Sequence, residues 1–406
     1  MLAGEEGEAA RWAMRQQVAT GEFFGAERLI PVTHAHVVVN VEVMGGAGTA
    51  LLERFAAEGA RFRVPCSTNA QPSVRSPLAS LLGQDLDMLA RQERVDELLG
   101  AMGASVLSSC IPYQSGYQPH YGEHVAWGDT GAVCYSNSVF GSRSNFEAGA
   151  ASLAAAITGR VPEYGYHLDA ARRTTLCVDV RADLGDLADW GALGAVVGRE
   201  CGNYWEVPLL AIPAPRVRAD ELKHLAAALG SYGSVAMFGI EGVTPEAAAL
   251  RREGGGRPRE LRVGEEELAA VFAMWTAESD DADLVVFSGP QQSLWELRTL
   301  AELLEGRRIR DTTQLVVTSS RGMLAMAEQL GYLDVIRRAG GLVLEGVCFY
   351  HLELDRLQRR HGWRTVVTNS AKVANIIGSF DYRPVLRRTA DCVRAALTGK
   401  VGAHGG

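Results

Sequence analysis

The sequence predicts an α/β protein of several units, with parallel or mixed sheets flanked by helices. Three observations lead there. β-branched stretches alternate with helix-patterned ones along most of the chain, the mark of parallel strands joined by crossover helices. At 406 residues the chain is longer than one hydrophobic core usually holds. Clusters of Ser, Asn, Cys, Arg and Lys follow several expected strands, where an open α/β sheet offers a crevice to ligands.

Composition narrows the function classes. Lys and Arg total 40 against 48 Asp and Glu, a net charge of −8 that argues against a nucleic-acid footprint. No apolar run approaches the about 20 residues needed to cross a bilayer. Residues 1–14 are acidic where a secretory signal would be basic, and they lack its apolar stretch. The seven cysteines are odd in number and widely spread, which suits reduced thiols in a cytoplasmic protein.

In chain order, residues 5–20 have helical spacing. Residues 28–43 are β-branched and read as a strand, followed by Gly45-Gly46-Ala47-Gly48 and a helix over 49–59. Residues 62–65 read as the next strand. The glycine cluster lacks both the Lys-Ser/Thr of a phosphate loop and the spacing of a dinucleotide fingerprint. Residues 84–102 predict one or two helices.

Residues 109–160 then gather Cys, Tyr, His, Asp, Asn, Ser and Arg among many glycines, a composition typical of binding loops held by a rigid scaffold. They feed a small-residue helix at 148–157 that Gly159 should stop.

Beyond residue 172 the alternation is regular. Strands are expected at 175–180, 207–212 and 234–239, with helices at 184–197 and 219–229. Thr244-Pro245-Glu246 reads as a helix start with Thr244 as cap. The polar, Gly- and Pro-rich stretch 251–262 reads as a linker. It divides a middle unit at 171–250 from a C-terminal unit at 263–406, the N-terminal unit being 1–170. The last unit should hold strands at 284–287, 314–318, 342–347 and, finally, 365–368, with helices at 294–304 and 321–329. The tail 402–406 is expected to be disordered.

Ser319, Ser320 and Arg321 follow one strand of this unit, and Asn369, Ser370, Ala371 and Lys372 follow another. Each set joins small hydrogen-bond donors to a cation at a helix start, a combination suited to a carboxylate or phosphate. Arg143 and Asn145 offer a further set.

Specific strings add a resemblance. Ser109-Cys110-Ile111-Pro112-Tyr113, the run Gly122–Gly128 (GEHVAWG), the run Asn137–Asn145 (NSVFGSRSN), Gly242-Val243-Thr244-Pro245-Glu246-Ala247 and Thr368-Asn369-Ser370-Ala371-Lys372 together resemble the large subunit of the aconitase X family. Matches follow the family's order over nearly the whole chain.

The resemblance implies an aconitase-like, three-domain large subunit and a small swivelling subunit that closes over the site. It implies removal of water from a small hydroxy-carboxylic acid, with an iron–sulfur cluster holding the leaving hydroxyl and a small-subunit serine taking the proton. Of the family's three cluster cysteines, Cys110 and Cys348 match the first and third. Gly289 stands at the second, with Gln291 where that motif has histidine. Glycine has no side chain to ligate a metal, so one corner is missing.

Three readings stay open. Cys66 or Cys134 supplies the third thiolate; or Cys110 and Cys348 hold a mononuclear ion with His124; or there is no metal. In the last case acid–base chemistry falls to His124, Tyr113, Asp129, Glu147 and Lys372. Asn137, Ser138, Arg143, Asn145, Ser320, Arg321, Asn369 and Ser370 would then anchor the acid. The activity expected is a dehydratase. The alternatives are a cluster-free isomerase, cyclase or decarboxylase on the same scaffold, and an acid-binding subunit without catalysis.

Overall fold

The computed structural model describes residues 1–75, 77–213, 217–251, 258–276 and 279–402. Its strands assemble into three parallel sheets and one small antiparallel pair. The first sheet runs, edge to edge, Ala104–Ser105, Cys66–Thr68, Ala35–Val37 and Ala126–Trp127. The middle sheet runs Arg259–Val263, Leu176–Val180, Pro208–Ala211 and Gly239–Ile240. The third runs Leu342–Glu345, Gln314–Ser319, Leu284–Phe287, Thr365–Thr368 and Arg383–Leu386. Its central strands are buried throughout, as a two-sided parallel sheet requires. No helix among the described residues is long and apolar enough to cross a membrane.

Local chemistry explains the element ends. Ser293 opens the helix Leu294–Leu304 with a capping box to Glu296, and Ser320 caps Arg321–Gln329. Gly159 ends the helix Ala150–Thr158 at φ 67°, a left-handed conformation that glycine adopts without penalty. The helices Leu187–Cys201 and Ala219–Gly233 pack so closely that a β-carbon on Gly233 would lie 2.1 Å from the Gly198 carbonyl oxygen. Lys223 on the second helix reaches the third unit through the Gln291 carbonyl and Glu296.

Several expected elements are corrected. The β-branched run 28–43 splits into the strands Leu29–Pro31 and Ala35–Val37. Asn40 then accepts from Val43 N at 2.9 Å and starts the helix Val41–Ala57. The glycine cluster therefore lies inside a helix kinked at Gly45, because a good cap overrides β-propensity. The strand expected at 62–65 is Cys66–Thr68. Phe62 and Arg63 instead donate their N–H groups to Met102 and Ala156 carbonyls outside any ladder.

Of 234–239 only Gly239 is in a strand, Gly239–Ile240, since Ser138 and Asn137 take up the Phe238 N–H and the Ala236 carbonyl. Thr244 is not the cap. Its hydroxyl turns back to Ile240, and Glu246 precedes the short helix Ala247–Leu250.

Part of the supposed linker, Arg259–Val263, is an edge strand of the middle sheet paired with Leu176–Val180. Its charged residues read as linker because four of its five positions are exposed or partly exposed. Thr365–Thr368 is not the final strand, for Arg383–Leu386 pairs with it. Residues 252–257 of the linker and 403–406 of the tail lie outside the described residues.

Candidate active site

In the third sheet the strands Leu284–Phe287 and Thr365–Thr368 are neighbours, and the chain winds outward from them in opposite directions. That is a topological switch point, where the loops diverge and leave a crevice at the carboxyl ends. The first sheet has its own between Ala35–Val37 and Ala126–Trp127. The two sheets meet at these ends. Gln71 N donates to the Gly346 carbonyl at 2.8 Å, and the Gln291 amide donates to the carbonyls of Ser108 (3.0 Å) and Val347 (3.2 Å).

The junction collects Cys110, Tyr113, Asp129, Gln291, Cys348, Tyr350 and Lys372. The Cys348 and Cys110 sulfurs are 3.3 Å apart, and both thiols are buried. Gln291 N donates to Cys110 Sγ at 3.3 Å, while Gln291 Oε1 accepts from Cys110 N at 3.3 Å. Asp129 caps the helix Thr130–Tyr135 through Ala132 N at 3.0 Å.

The Lys372 ammonium lies 3.5 Å from Thr130 Oγ1 and 5.5 Å from the Tyr350 ring centroid. Burial works against its charge, but Asp129, Cys110 and Cys348 outweigh burial and hold its pKa above the ordinary lysine value. Contact with Cys110 and burial push the Cys348 thiol well up. Burial, then the neighbouring Tyr135 and Cys110, does the same to Tyr113, which stacks on Tyr135 at 3.9 Å.

The residues at the expected cluster corners do not fit a three-cysteine cluster. Gly289 has φ +50°, a conformation that strains any side chain, and a β-carbon there would lie 2.7 Å from both Tyr350 and Val373. The third corner is filled by protein.

The other proposed thiolates lie elsewhere. Cys66 opens its strand at the amino end and packs in the core of the first unit, where burial pushes its pKa up to about 12. Cys134 lies in the helix beneath, beside Cys201. Among the described residues, no group of three His, Cys, Asp or Glu side chains is placed to hold a metal ion.

Of the expected acid–base residues, Tyr113, Asp129 and Lys372 converge at the junction. His124 does not. Its Nδ1 is 2.9 Å from His167 Nδ1, in a separate half-buried cluster with Arg143. Glu147 is fully buried with Oε1 unpartnered, and burial raises its pKa to about 7.

Most expected anchors of residues 137–145 are used within the fold. Asn137 bonds Ser144 and the Ala236 carbonyl. Ser138 bonds Cys134 and Phe238. Asn145 bonds Tyr164, Tyr166 and Tyr204. Arg143 pairs with Asp169 and with the His167 carbonyl. Ser320 serves as a cap, and the half-exposed Arg321 pairs with Glu345 at 2.9 Å. Ser370, which caps its helix and donates to the Gly289 carbonyl at 2.5 Å, stands at the junction. Asn369 beside it has an unpartnered Oδ1.

Residues that sequence reasoning passed over tie this junction together. Lys223, fully buried on the helix Ala219–Gly233, donates to the Gln291 carbonyl at 3.1 Å and pairs with Glu296. Burial alone would raise the Glu296 carboxyl, but Lys223 and His224 outweigh it and hold the group at about 2. Besides Asp220 on its own helix, 3.5 Å away, the partners of Lys223 come from another unit, so the sequence around it does not mark it. A cavity of about 730 Å³ adjoins the junction, lined by Asp186, Trp190, Asp220, Gln292, Trp295 and Asn369 among others. Its volume suits a small organic ligand.

Family models described as aconitase X first, second and third domain match residues 1–170, 174–273 and 282–398. The phosphomevalonate dehydratase large subunit of Thermococcus kodakarensis is 36% identical over 98% of this chain and 97% of its own. The cis-3-hydroxy-L-proline dehydratase of Pseudomonas aeruginosa is 37% identical over 98% of this chain and 69% of its own length. The crystal structure of Thermococcus kodakaraensis aconitase X in its holo-form matches with a TM-score of 0.87 at 35% identity, covering 97% of each chain.

Proposed function

Since the chain belongs to the aconitase X family, we propose that it is the large subunit of a hydro-lyase acting on a small hydroxy-carboxylic acid. One observation carries this reading: Lys372 and Asp129, a buried cation and a carboxylate close enough to interact electrostatically, lie at the facing switch points of two sheets. The raised pKa of Lys372 keeps it charged at neutral pH, and its ammonium binds the substrate carboxylate. A carboxylate so held has an acidified α-proton, and we assign Asp129 as the base that takes it. Tyr113 and Ser370 border the same space, and Asn369 lines the adjoining cavity.

The Pseudomonas relative extends beyond the part this chain matches, which supports a further portion supplied here by a separate small subunit. Such a subunit would cover the junction and exclude water. All seven cysteines are free thiols, in keeping with a cytoplasmic enzyme.

We derive no step through an iron–sulfur cluster, because Gly289, Tyr350 and Val373 leave no third corner for one. The filled corner favours a second reading, a cluster-free acid–base enzyme of isomerase, cyclase or decarboxylase type on the same scaffold.

Anaerobic co-expression with a small subunit, followed by iron and sulfide counts and assay on hydroxy acids in deuterated water, tests both. Water loss with no iron bound supports cluster-free elimination. Deuterium uptake without water loss supports the second reading. Several irons with matching sulfide per chain would overturn the argument from Gly289.

A further inference from the structure

The cavity of about 730 Å³ beside the junction is walled by the middle and third units, and its lining is rich in carboxylates. Asp186, Asp220, Glu221, Glu296 and Glu302 stand in that wall against two guanidiniums, Arg218 and Arg298. Arg218 pairs with Glu221 at 3.1 Å and Arg298 with Glu302 at 2.7 Å. Lys223, buried behind the lining, pairs with Glu296 and lies 3.5 Å from Asp220. Asp186 is left over. It forms no salt bridge among the described residues, and the nearby Arg388 is bonded to Asp189 at 3.1 Å.

Helix starts explain why the acids gather. The helices Leu187–Cys201, Ala219–Gly233, Leu294–Leu304 and Thr389–Thr398 all begin at this wall. Their positive ends would suit a phosphate. Here each is met by one of the protein's own carboxylates. Asp186 accepts from Ala188 N at 2.9 Å and from Thr389 N at 3.1 Å. Glu221 accepts from Arg218 N at 3.0 Å, and Glu296 from Ser293 N at 2.7 Å. A phosphate entering the cavity would meet these carboxylates in place of free N–H groups.

An unpaired polar atom in the lining is also an acceptor. Asn369 is 1% exposed, and its Oδ1 has no hydrogen-bond partner. Thr389 fixes which end of the amide is free. Its hydroxyl donates to Asp186 Oδ1 at 3.2 Å, so its oxygen accepts from Asn369 Nδ2 at 3.1 Å and the amide oxygen is left over. A buried acceptor without a donor is destabilising. Asn369 and Asp186, both bonded to Thr389, thus offer acceptors to one donor-rich group. An ammonium supplies the donors and the charge, and Trp190 and Trp295 in the same wall suit an organic cation.

Resting on the dehydratase reading above, we propose that this cavity binds a cationic nitrogen, so that the substrate is a hydroxy acid carrying an ammonium group in place of a phosphate. Asn369 and Gln292 adjoin Ser370 and Gln291 in sequence, which sets the ammonium beside the junction where Lys372 holds the carboxylate. Opposite charges at its two ends then fix the direction in which the substrate lies.

The test is calorimetric binding to the full chain co-expressed with a small subunit. The probes are three acids of one skeleton, 4-amino-3-hydroxybutanoate, 3,4-dihydroxybutanoate and 3-hydroxy-4-phosphonooxybutanoate, with cis-3-hydroxy-L-proline as a cyclic amine. At least one amine should bind about tenfold or more tighter than the neutral and phosphorylated acids, as expected for a hydrogen-bonded charge. Asn369→Ala and Asp186→Asn should each bring that ratio within about threefold, with the neutral acid's affinity and the far-ultraviolet circular dichroism unchanged. Asn369→Ala removes no helix cap, so it keeps the test open if Asp186→Asn fails to fold.

Amines that bind no tighter than the neutral or phosphorylated acid, or a preference unchanged in the folded variants, overturn the ammonium subsite. Water loss from any of these acids then leaves the dehydratase reading standing. Binding of none of the four overturns both.

Discussion

Asn137, inside the helical turn Ser136–Phe140, and Asn369, just before the helix Ala371–Ile377, are both buried asparagines, yet their surroundings differ. Every polar end of Asn137 is bonded, to Ser144 and to the Ala236 carbonyl. Asn369 donates to Thr389 and leaves its oxygen free beside the cavity. The same contrast separates Arg143, tied to Asp169 and a backbone carbonyl, from Lys372, whose ammonium meets only a hydroxyl at 3.5 Å and an aromatic face.

The long loops of 109–160 have few ladder partners, so their side chains must satisfy backbone groups that no strand pairs. At the ends of the third sheet Ser370 and Gln291 are used in the same way, but Asn369 keeps one oxygen unpartnered and Lys372 keeps an ammonium bonded, among the described residues, to no carbonyl or carboxylate. Polar composition alone does not mark a site. What marks one is polar groups left over after the backbone has been satisfied.

The contrast can be broken from either side. Arg172 holds the loop region from below, bonding Glu246 through two nitrogens and the carbonyls of Tyr166, Asn137 and Ser142. Arg172→Met leaves a buried carboxylate unpaired and should cost about 3–5 kcal/mol in denaturant unfolding. Retention of wild-type stability would mean that the loops do not depend on that scaffold.

Lys372→Met should lower kcat/KM by about 10²–10³-fold with little change in melting temperature. A loss under about threefold would move the anion site elsewhere.

Glu147 adds a pH dependence. Its folded pKa, about 7, lies above the ordinary 4.5, so the folded state holds the proton longer than the unfolded one. Stability should therefore fall as pH rises from about 4.5 to 7 and level off above, by up to about 3 kcal/mol. Glu147→Gln should flatten that slope and raise stability at pH 8. An unaltered profile would show that the carboxyl finds a partner.

Gly289→Cys, which restores the missing ligand type, should cost about 1–3 kcal/mol through its positive φ and its contacts with Tyr350 and Val373. It should gain no iron. Stoichiometric cluster uptake by this variant would show that the corner opens. Smallest of all, Arg143→Ala should shift stability by less than about 1 kcal/mol and leave acid binding unchanged, because its partner Asp169 is exposed. Lost acid binding would return Arg143 to the anion site.

Much of the architecture was legible in local patterns. The helices Leu294–Leu304 and Arg321–Gln329 start and stop where serine caps and apolar spacing place them, and the strand Leu284–Phe287 lies where the apolar run does. The misses were also local contests. At Asn40 a cap prevailed over a β-branched run, and the charged edge strand Arg259–Val263 carried too few apolar residues to read as a strand.

The site was harder to read. Cys110 and Cys348 were marked by their strings, but Lys223 and Tyr350 carry no local signal.

The sequence by itself determined the α/β alternation, the polar strand ends and the glycine at position 289, because these depend on neighbours within a few residues. Only the tertiary structure decided which polar groups remain free, that Tyr350 and Val373 occupy the third corner, and that Lys223 reaches Gln291 from another unit. Hydrogen-bond satisfaction and close packing are set between segments far apart in the chain, and no short stretch of sequence specifies its distant partner.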